Sequence, residues 1–264
     1  MKMRLLGVTL FLLVVAGCKS DFERVRLSGD TNLIYQKGIA YFDKAEYQKA
    51  QTLFELIINN FRGQKEAEDL YFKYAYTHYH LKNYVLAAYY FKNFSTTYSL
   101  SNLREEADFM AAFSNYRLSP QYRLEQSYTV KAIEGLQDFA NAYPRSERVA
   151  ECNQLIDGLR AKLERKSFEE AKLYYDLRQY QAALHTFENL LKDFPETRDA
   201  QKIRFLMVDA AFAWAENSVV DKKAERYEKT LEYIKLFRNK YPSSEFDDDL
   251  ARTESETRKA LNTI

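Results

Sequence analysis

The stretch Gly38–Phe54 reads GIAYFDKAEYQKAQTLF, and it decides the fold. A second stretch, Ala171–Phe187, reads AKLYYDLRQYQAALHTF and repeats its small and aromatic residues at the same offsets. A small residue followed by a bulky one at helical spacing lets two helices approach closely and interlock. The sequence therefore predicts a repeated pair of packed helices.

Signals for the end of one helix and the start of the next recur along the chain. Each signal consists of an aromatic residue followed by a residue at which the helix is expected to stop. In three of the five cases that residue is proline, which cannot continue a helix. The aromatic residues are Phe61, Tyr98, Tyr143, Phe194 and Tyr241. A hydroxyl two positions beyond the stop residue can cap the next helix in four cases. These capping residues are Ser101, Ser146, Thr197 and Ser244.

The repeated positions resemble the tetratricopeptide (TPR) signature, a helix–turn–helix unit of about 34 residues. The predicted fold class is all-α, a TPR-like helical solenoid of about five irregular repeats. Residues 31–145 are assigned to units one to three, and residues 146–264 to a long helix and units four and five. Breaks are expected at 119–122 and 217–223, and one extended helix is expected over 147–166.

Composition narrows the classes of function. With 46% hydrophobic and 29% charged residues, the chain can bury a continuous core. A formal net charge of +1 provides no basic footprint, so nucleic acid is not expected as a partner. The motifs typical of enzymatic nucleophiles, zinc sites and phosphate-binding loops do not occur. We therefore expect a protein that is not an enzyme and needs no metal or other cofactor.

Isolated reactive residues fit the same expectation. His78 and His80 should point to nearly opposite sides of one helix, and His185 lies two repeats away, so no metal triad is predicted. Cys152 is expected to be a buried, inert thiol. Carboxylate pairs such as Glu105–Glu106 are expected on solvated helix faces. The acidic run over 245–249 should open the last helix, where negative charge complements the helix dipole.

The N-terminus carries a targeting signal. Lys2 and Arg4 precede the apolar run Leu5–Ala16, which is too short to cross a hydrocarbon core of about 30 Å. Residues 15–18, Val-Ala-Gly-Cys, resemble the bacterial lipobox, whose cysteine receives a diacylglycerol before the preceding peptide is removed. Residues 1–17 are therefore predicted to be a signal peptide. An ordinary signal peptide that happens to contain a cysteine is the alternative.

Cys18 is the predicted lipid anchor. It would carry a diacylglycerol and an N-acyl chain, and two or more acyl chains are enough to hold a protein stably on a membrane. Residues 18–30 would then form the tether, and the remainder would lie outside the bilayer. Lys19 in the position after the cysteine is compatible with the outer membrane.

A partner surface is predicted on the first helix of each repeat, because stacked TPR units leave a concave groove lined by those helices. The register set by Ala50 and Ala87 assigns five residues to this groove as a client-binding site. They are Tyr35, Ile39, Phe72, Tyr76 and Tyr79. Aromatic side chains offer a large contact area at low cost in rotamer entropy. The alternative is that some of them pack against the next unit.

The lipobox followed by irregular TPR units resembles the BamD family of the β-barrel assembly machinery, over residues 18–262. The more specific parts are Gly38–Phe54, residues 132–144 and residues 159–197. The resemblance implies a lipid-anchored, periplasm-facing protein of the outer membrane. Its implied partners are a POTRA domain of BamA, other assembly-complex lipoproteins and unfolded β-barrel clients.

Two points stay open within that resemblance. The position at which some family members present a basic residue to BamA corresponds here to Thr186, beside His185. The BamA-binding surface is therefore not assigned to individual residues. A periplasmic TPR lipoprotein that coordinates cell-wall or division enzymes is the alternative function.

Overall fold

A computed structural model describes residues 20–264, and all regular secondary structure within that range is helical. The helices are α1 (Asp21–Arg26), α2 (Thr31–Asp43), α3 (Tyr47–Ile57), α4 (Ala67–His80), α5 (Tyr84–Thr97), α6 (Arg104–Leu118), α7 (Ser127–Ala142), α8 (Val149–Asp176), α9 (Tyr180–Asp193), α10 (Ala200–Glu216), α11 (Val220–Lys240) and α12 (Asp247–Thr263). The predicted all-α, TPR-like class is confirmed.

The chain forms two compact units. Of the described residues, 20–120 and Gln126–Ile156 form one unit, and Gln121–Glu125 and Asp157–Ile264 form the other. In the first unit the helices pack in chain order, from α1 on α2 up to α6 on α7. In addition, α2 contacts α4. In the second, the same neighbour-to-neighbour packing runs from α9 to α12.

The repeated small and bulky residues form the contacts within each helix pair. In the first pair Ala50 and Phe54 are fully buried, and a Cβ atom added to Gly38 would lie 2.6 Å from Cε1 of Phe54. In the second unit Ala171 and Phe187 are buried in one cluster. A side chain at position 38 would therefore force α2 away from α3.

One turn geometry closes three of the helix pairs. Ala45, Lys82 and Arg178 adopt φ angles of 59°, 63° and 59°, in the left-handed region. The amide after each of them donates to the carbonyl five residues earlier, as in the 2.9 Å bond from Glu46 N to Tyr41 O. This pattern ends one helix and redirects the chain into the next, without the glycine that usually occupies the left-handed position.

The four predicted capping hydroxyls are bonded before the next helix, but each caps the turn that leads into it. The N-cap residues of α6, α10 and α12 are Leu103, Asp199 and Phe246. The hydroxyls of Ser101, Ser146, Thr197 and Ser244 each accept from the backbone N–H two residues later, and the next helix begins one residue beyond that. Four of the helix-ending aromatic residues directly follow the last helical residue. Phe61 differs, because α3 ends at Ile57 and turns follow.

The long helix is confirmed and is longer than expected. α8 continues through the first helix of unit four to Asp176, since the stretch after 166 contains no proline or glycine that would stop it. Residues 119–126 and 217–219 are non-helical, which places the second break four residues short of its expected end. Cys152 is buried, and burial raises the pKa of its thiol.

The predicted lipid anchor Cys18 and the predicted signal peptide over residues 1–17 lie outside the described residues.

Candidate functional site

The five residues of the predicted client-binding groove lie on α2 and α4, the first helices of consecutive repeats, and all five are half-buried. We call Tyr35, Ile39, Phe72, Tyr76 and Tyr79 the aromatic face. α2 contacts α4 directly. Each of these side chains therefore packs against the protein while part of its surface stays accessible.

Tyr35 connects the first repeat to the second. Its hydroxyl donates to Oδ2 of Asp69 at 3.4 Å, and its ring centroid lies 5.2 Å from that of Phe61. Lys73 Nζ pairs with the other oxygen of Asp69 at 2.9 Å. Burial and the nearby Asp69 carboxylate raise the pKa of the Tyr35 hydroxyl. Ile39 packs on the same core cluster.

Tyr76 connects the second repeat to the third. Its hydroxyl donates to Oε1 of Glu106 at 2.6 Å, and Arg148 Nη2 donates to Oε2 of the same carboxylate at 2.6 Å. The Arg148 guanidinium also lies 4.1 Å from the centroid of the Phe109 ring. Burial and the bond to Glu106 raise the pKa of the Tyr76 hydroxyl far above its usual value. The hydroxyl is thus neutral and already engaged, so a ligand would meet the ring of Tyr76.

The remaining two residues differ in how deeply they pack. The Phe72 ring centroid lies 5.1 Å from that of Phe94, which is fully buried. Tyr79 lies 6.3 Å from Phe113 and accepts a long hydrogen bond of 3.5 Å from Arg117 Nη1. Phe72 therefore belongs partly to the core of its repeat, whereas Tyr79 continues the aromatic face toward α6.

Sequence reasoning missed that continuation. Phe109, Phe113 and Tyr116 stack in a ladder along α6, with successive centroids 5.4 Å apart and interplanar angles of 16° and 15°. Their spacing of four and three residues is the signal that could have found them. On α4, His80 stacks on Tyr47 at 4.1 Å, while His78 is buried, so the two histidines do lie on opposite sides.

One expectation for this region is wrong. Glu105 is exposed, as expected for a solvated helix face, but Glu106 is half-buried and receives both Tyr76 and Arg148. The two residues are adjacent in sequence, and a helix turns about 100° per residue, so they occupy different environments. The partners of Glu106 come from elsewhere in the chain, Tyr76 from the preceding repeat and Arg148 from the segment before α8.

The aromatic face can bind apolar and aromatic side chains through its rings. The cations at its edges, Lys73 and Arg117, could meet polar or anionic groups between them. In the part of the chain that the structure describes, no group of three His, Cys, Asp or Glu residues is arranged to hold a metal ion.

Thr186 and His185 lie next to each other on α9 in the second unit. The Thr186 hydroxyl donates to the carbonyl of Ala182 at 2.9 Å, and His185 is exposed. Trp214 lines the same shallow pocket as His185, and the Arg226 guanidinium lies 4.1 Å from its ring centroid. The Thr186 hydroxyl is therefore engaged by its own helix. The exposed residues that line this pocket are His185, Arg178, Gln179 and Gln181, whereas Trp214 is half-buried.

Over residues 20–264, no helix combines the length and the apolar composition that a membrane span requires.

Comparison with known proteins agrees with these features. The family model YfiO, described as outer membrane lipoprotein, matches residues 28–225. The outer membrane protein assembly factor BamD of Rickettsia prowazekii is 22% identical over 234 residues, which cover 89% of this chain and 89% of that protein. The protein of the same name from Haemophilus influenzae is 20% identical over 219 residues, covering 79% and 83% of the two chains. Because the family model matches well over half of the sequence, this chain belongs to the YfiO family of outer membrane lipoproteins.

Proposed function

We propose that this protein is a non-catalytic assembly factor for β-barrel proteins of the outer membrane. In this role it is lipid-anchored at the outer membrane, faces the periplasm, and binds BamA, other assembly lipoproteins and unfolded barrel clients. The family match over residues 28–225 is the observation that carries the proposal. Two similar proteins bear the name outer membrane protein assembly factor.

The anchor in this proposal is a lipid on Cys18. Its test is Cys18→Ala, which should abolish incorporation of labelled fatty acid and move the protein from the membrane fraction to the soluble fraction. Cys152→Ala is the matched control, because that buried thiol should not affect either readout. Unchanged fractionation of Cys18→Ala would remove the lipid from the proposal.

Client binding is assigned to the aromatic face. Barrel proteins end in segments that alternate aromatic and polar side chains, and their apolar residues would gain from contact with the rings of α2 and α4. The engaged hydroxyls of Tyr35 and Tyr76 support this role, since they hold the rings in place before a client arrives.

The decisive variant is Tyr76→Ala. It should weaken binding of a C-terminal barrel peptide by about 2 kcal/mol, the size expected for an interface anchor. Because the ring also lies 4.9 Å from buried Phe91, the substitution should lower stability as well. Tyr175→Ala is the matched control: the Tyr175 hydroxyl donates to Asp209 at 2.8 Å in the second unit, so its loss should be similarly destabilising but leave peptide affinity unchanged.

Tyr76→Phe separates the ring from the hydroxyl, and it should retain most of the peptide affinity. Equal loss of affinity in Tyr76→Ala and Tyr175→Ala would mean that general destabilisation is responsible. A photo-crosslinker at position 76 that captures no nascent barrel protein in functional cells would assign the aromatic face to packing alone.

BamA binding is assigned to the repeats of the second unit. Solenoid repeats couple mainly to their neighbours, so Tyr76→Ala should leave BamA in the complex. Purification from mildly solubilised membranes should recover a large β-barrel protein. Recovery of peptidoglycan enzymes in its place would favour the alternative, a lipoprotein that coordinates cell-wall or division enzymes.

A further inference from the structure

A groove of about 740 Å³ lies between α3 and α5 in the first unit, with α4 at its base. Its aromatic lining consists of Tyr71, Tyr74, Tyr89, Tyr90 and Tyr98, and we call it the tyrosine groove. The volume falls within the range of about 300–1,000 Å³ that is typical of small-molecule sites. None of these tyrosines belongs to the aromatic face.

The tyrosine rings hold one another in place. Tyr90 packs edge-to-face on Tyr71, with centroids 5.9 Å apart, and on Tyr74, 4.8 Å apart. The buried His78 ring stacks on Tyr90 from behind at 5.0 Å. Tyr89 lies 5.2 Å from Tyr90 and is 57% exposed. The groove therefore has a rigid aromatic base and one accessible ring at its edge.

Helix packing accounts for part of this lining, because Tyr74 is buried in the core cluster of the first repeats and Tyr90 and Tyr98 pack against it. The corresponding groove between α5 and α7 encloses about 610 Å³. If Ala87 and Ala132 are equivalent positions, Tyr90 corresponds there to Gly135, which lines that groove. A small residue therefore suffices at this position one repeat later. Core packing does not account for the Tyr89 ring at the edge of the first groove, which is largely exposed.

The walls of the groove carry both hydrogen-bond donors and hydrogen-bond acceptors. Glu55, Asn59 and Arg62 line one side, and Asn93 and Thr97 line the other. Within residues 20–264, the side chains of Glu55, Asn59 and Arg62 make no hydrogen bond or ion pair with another residue. The carboxylate can only accept and the guanidinium can only donate, and their charges cancel. A suitable ligand is neutral and offers both donors and acceptors beside an apolar surface.

We propose that the tyrosine groove binds a neutral oligosaccharide. A pyranose ring has an apolar C–H face that can lie on the Tyr89 ring, and its hydroxyls can donate to Glu55 while accepting from Arg62. A polyproline segment, the other ligand that aromatic grooves often take, has no backbone N–H and could not donate to Glu55 from its main chain.

Titration of the full-length chain tests the proposal. The protein is kept in a zwitterionic detergent, because a detergent with a sugar headgroup would compete. Tri-N-acetylchitotriose and maltotriose are the saccharide probes, and decaproline is the peptide probe. Binding is measured by calorimetry and by saturation-transfer NMR. At least one trisaccharide should bind saturably, with transfer to its ring C–H protons.

Three variants locate the site. Tyr89→Ala should weaken trisaccharide binding at least tenfold, and Asn59→Ala should weaken it several-fold. Both residues are exposed, so the fold should survive, which circular dichroism checks. Leu86→Ala removes an exposed residue of the same helix that does not line the groove, and it should bind as the wild type does.

Failure of both trisaccharides to bind would overturn the proposal, as would binding that Tyr89→Ala leaves unchanged. Decaproline binding that depends on Tyr89, without saccharide binding, would assign the groove to a peptide.

Discussion

The side-chain amide of Gln201 donates a hydrogen bond of 2.7 Å to the hydroxyl of Ser244, which also accepts the backbone N–H of Phe246 at 3.1 Å. One hydroxyl thus caps the turn that leads into α12 and ties the start of α10 to that turn. The same arrangement recurs three times with a carboxylate as acceptor, in the pairs Ser101–Glu68, Ser146–Glu105 and Thr197–Glu164. Each of these four hydroxyls therefore joins the turn before a helix to an earlier helix. The contact is near the start of that helix for Glu68, Glu105 and Gln201, and in the middle of α8 for Glu164.

This relationship predicts the effect of removing one hydroxyl. Ser244→Ala removes the acceptor of both the Phe246 N–H and the Gln201 amide. It should therefore lower the free energy of unfolding by about 1–2 kcal/mol. The neighbouring Ser243 is exposed and makes no such bond, so Ser243→Ala should change stability by less than about 0.5 kcal/mol. Urea denaturation followed by circular dichroism measures both, and equal effects would show that the cap is unimportant.

A second prediction concerns the close approach of α2 and α3. Gly38→Ala places a Cβ atom 2.6 Å from the fully buried Phe54 ring, and it should cost about 1–3 kcal/mol through overpacking. Gly158→Ala is the matched control, because no atom lies within 4 Å of its added Cβ. It should stabilise the helix by about 0.5–1 kcal/mol. Stabilisation by both substitutions would contradict the packing of the first helix pair.

A third prediction uses one substitution at two backbone conformations. Ala45 is exposed and has a φ of 59°, which is unfavourable for any residue with a Cβ atom. Ala45→Gly should therefore raise the melting temperature, by relieving up to about 1 kcal/mol. Ala40 is exposed within α2, so Ala40→Gly should destabilise the protein by about 0.5–1 kcal/mol. Two shifts of the same sign would refute the left-handed turn.

A fourth prediction concerns alkaline pH. Burial and the 2.8 Å bond to Asp108 raise the pKa of Tyr143 to about 12. A tyrosine in the unfolded chain ionises near pH 10, at a pKa of about 10. The folded state therefore holds this proton at higher pH, and the resulting stability is complete below about pH 10 and is lost as the pH rises through about 12.

Tyr143→Phe should make the free energy of unfolding fall less steeply over that pH range. It should also cost about 1 kcal/mol at neutral pH, because Asp108 loses a donor. Denaturation at a series of pH values measures the slope. Tyr89→Phe, at an exposed ring, is the control and should leave the slope unchanged. An unaltered slope in Tyr143→Phe would exclude this linkage.

The sequence by itself determined the repeat. Small and bulky residues such as Ala50 and Phe54 act within one helix pair, and caps such as Ser146 act within a few residues, so the local pattern was enough to predict both. The predicted groove residues of α2, and separately those of α4, could be assigned to one side of their own helix for the same reason. Periodicity along a helix specifies which residues share a side.

Only the tertiary structure decided which residues these helix faces contact. Glu106 receives Tyr76 and Arg148, residues 30 and 42 positions away, and no local pattern distinguishes it from its exposed neighbour Glu105. The tyrosine groove likewise exists because α4, α5 and the turns after α3 bring Tyr71, Tyr90 and Arg62 to one place. Helical periodicity fixes the direction of a side chain around its own axis, whereas the identity of its partner depends on how neighbouring repeats stack.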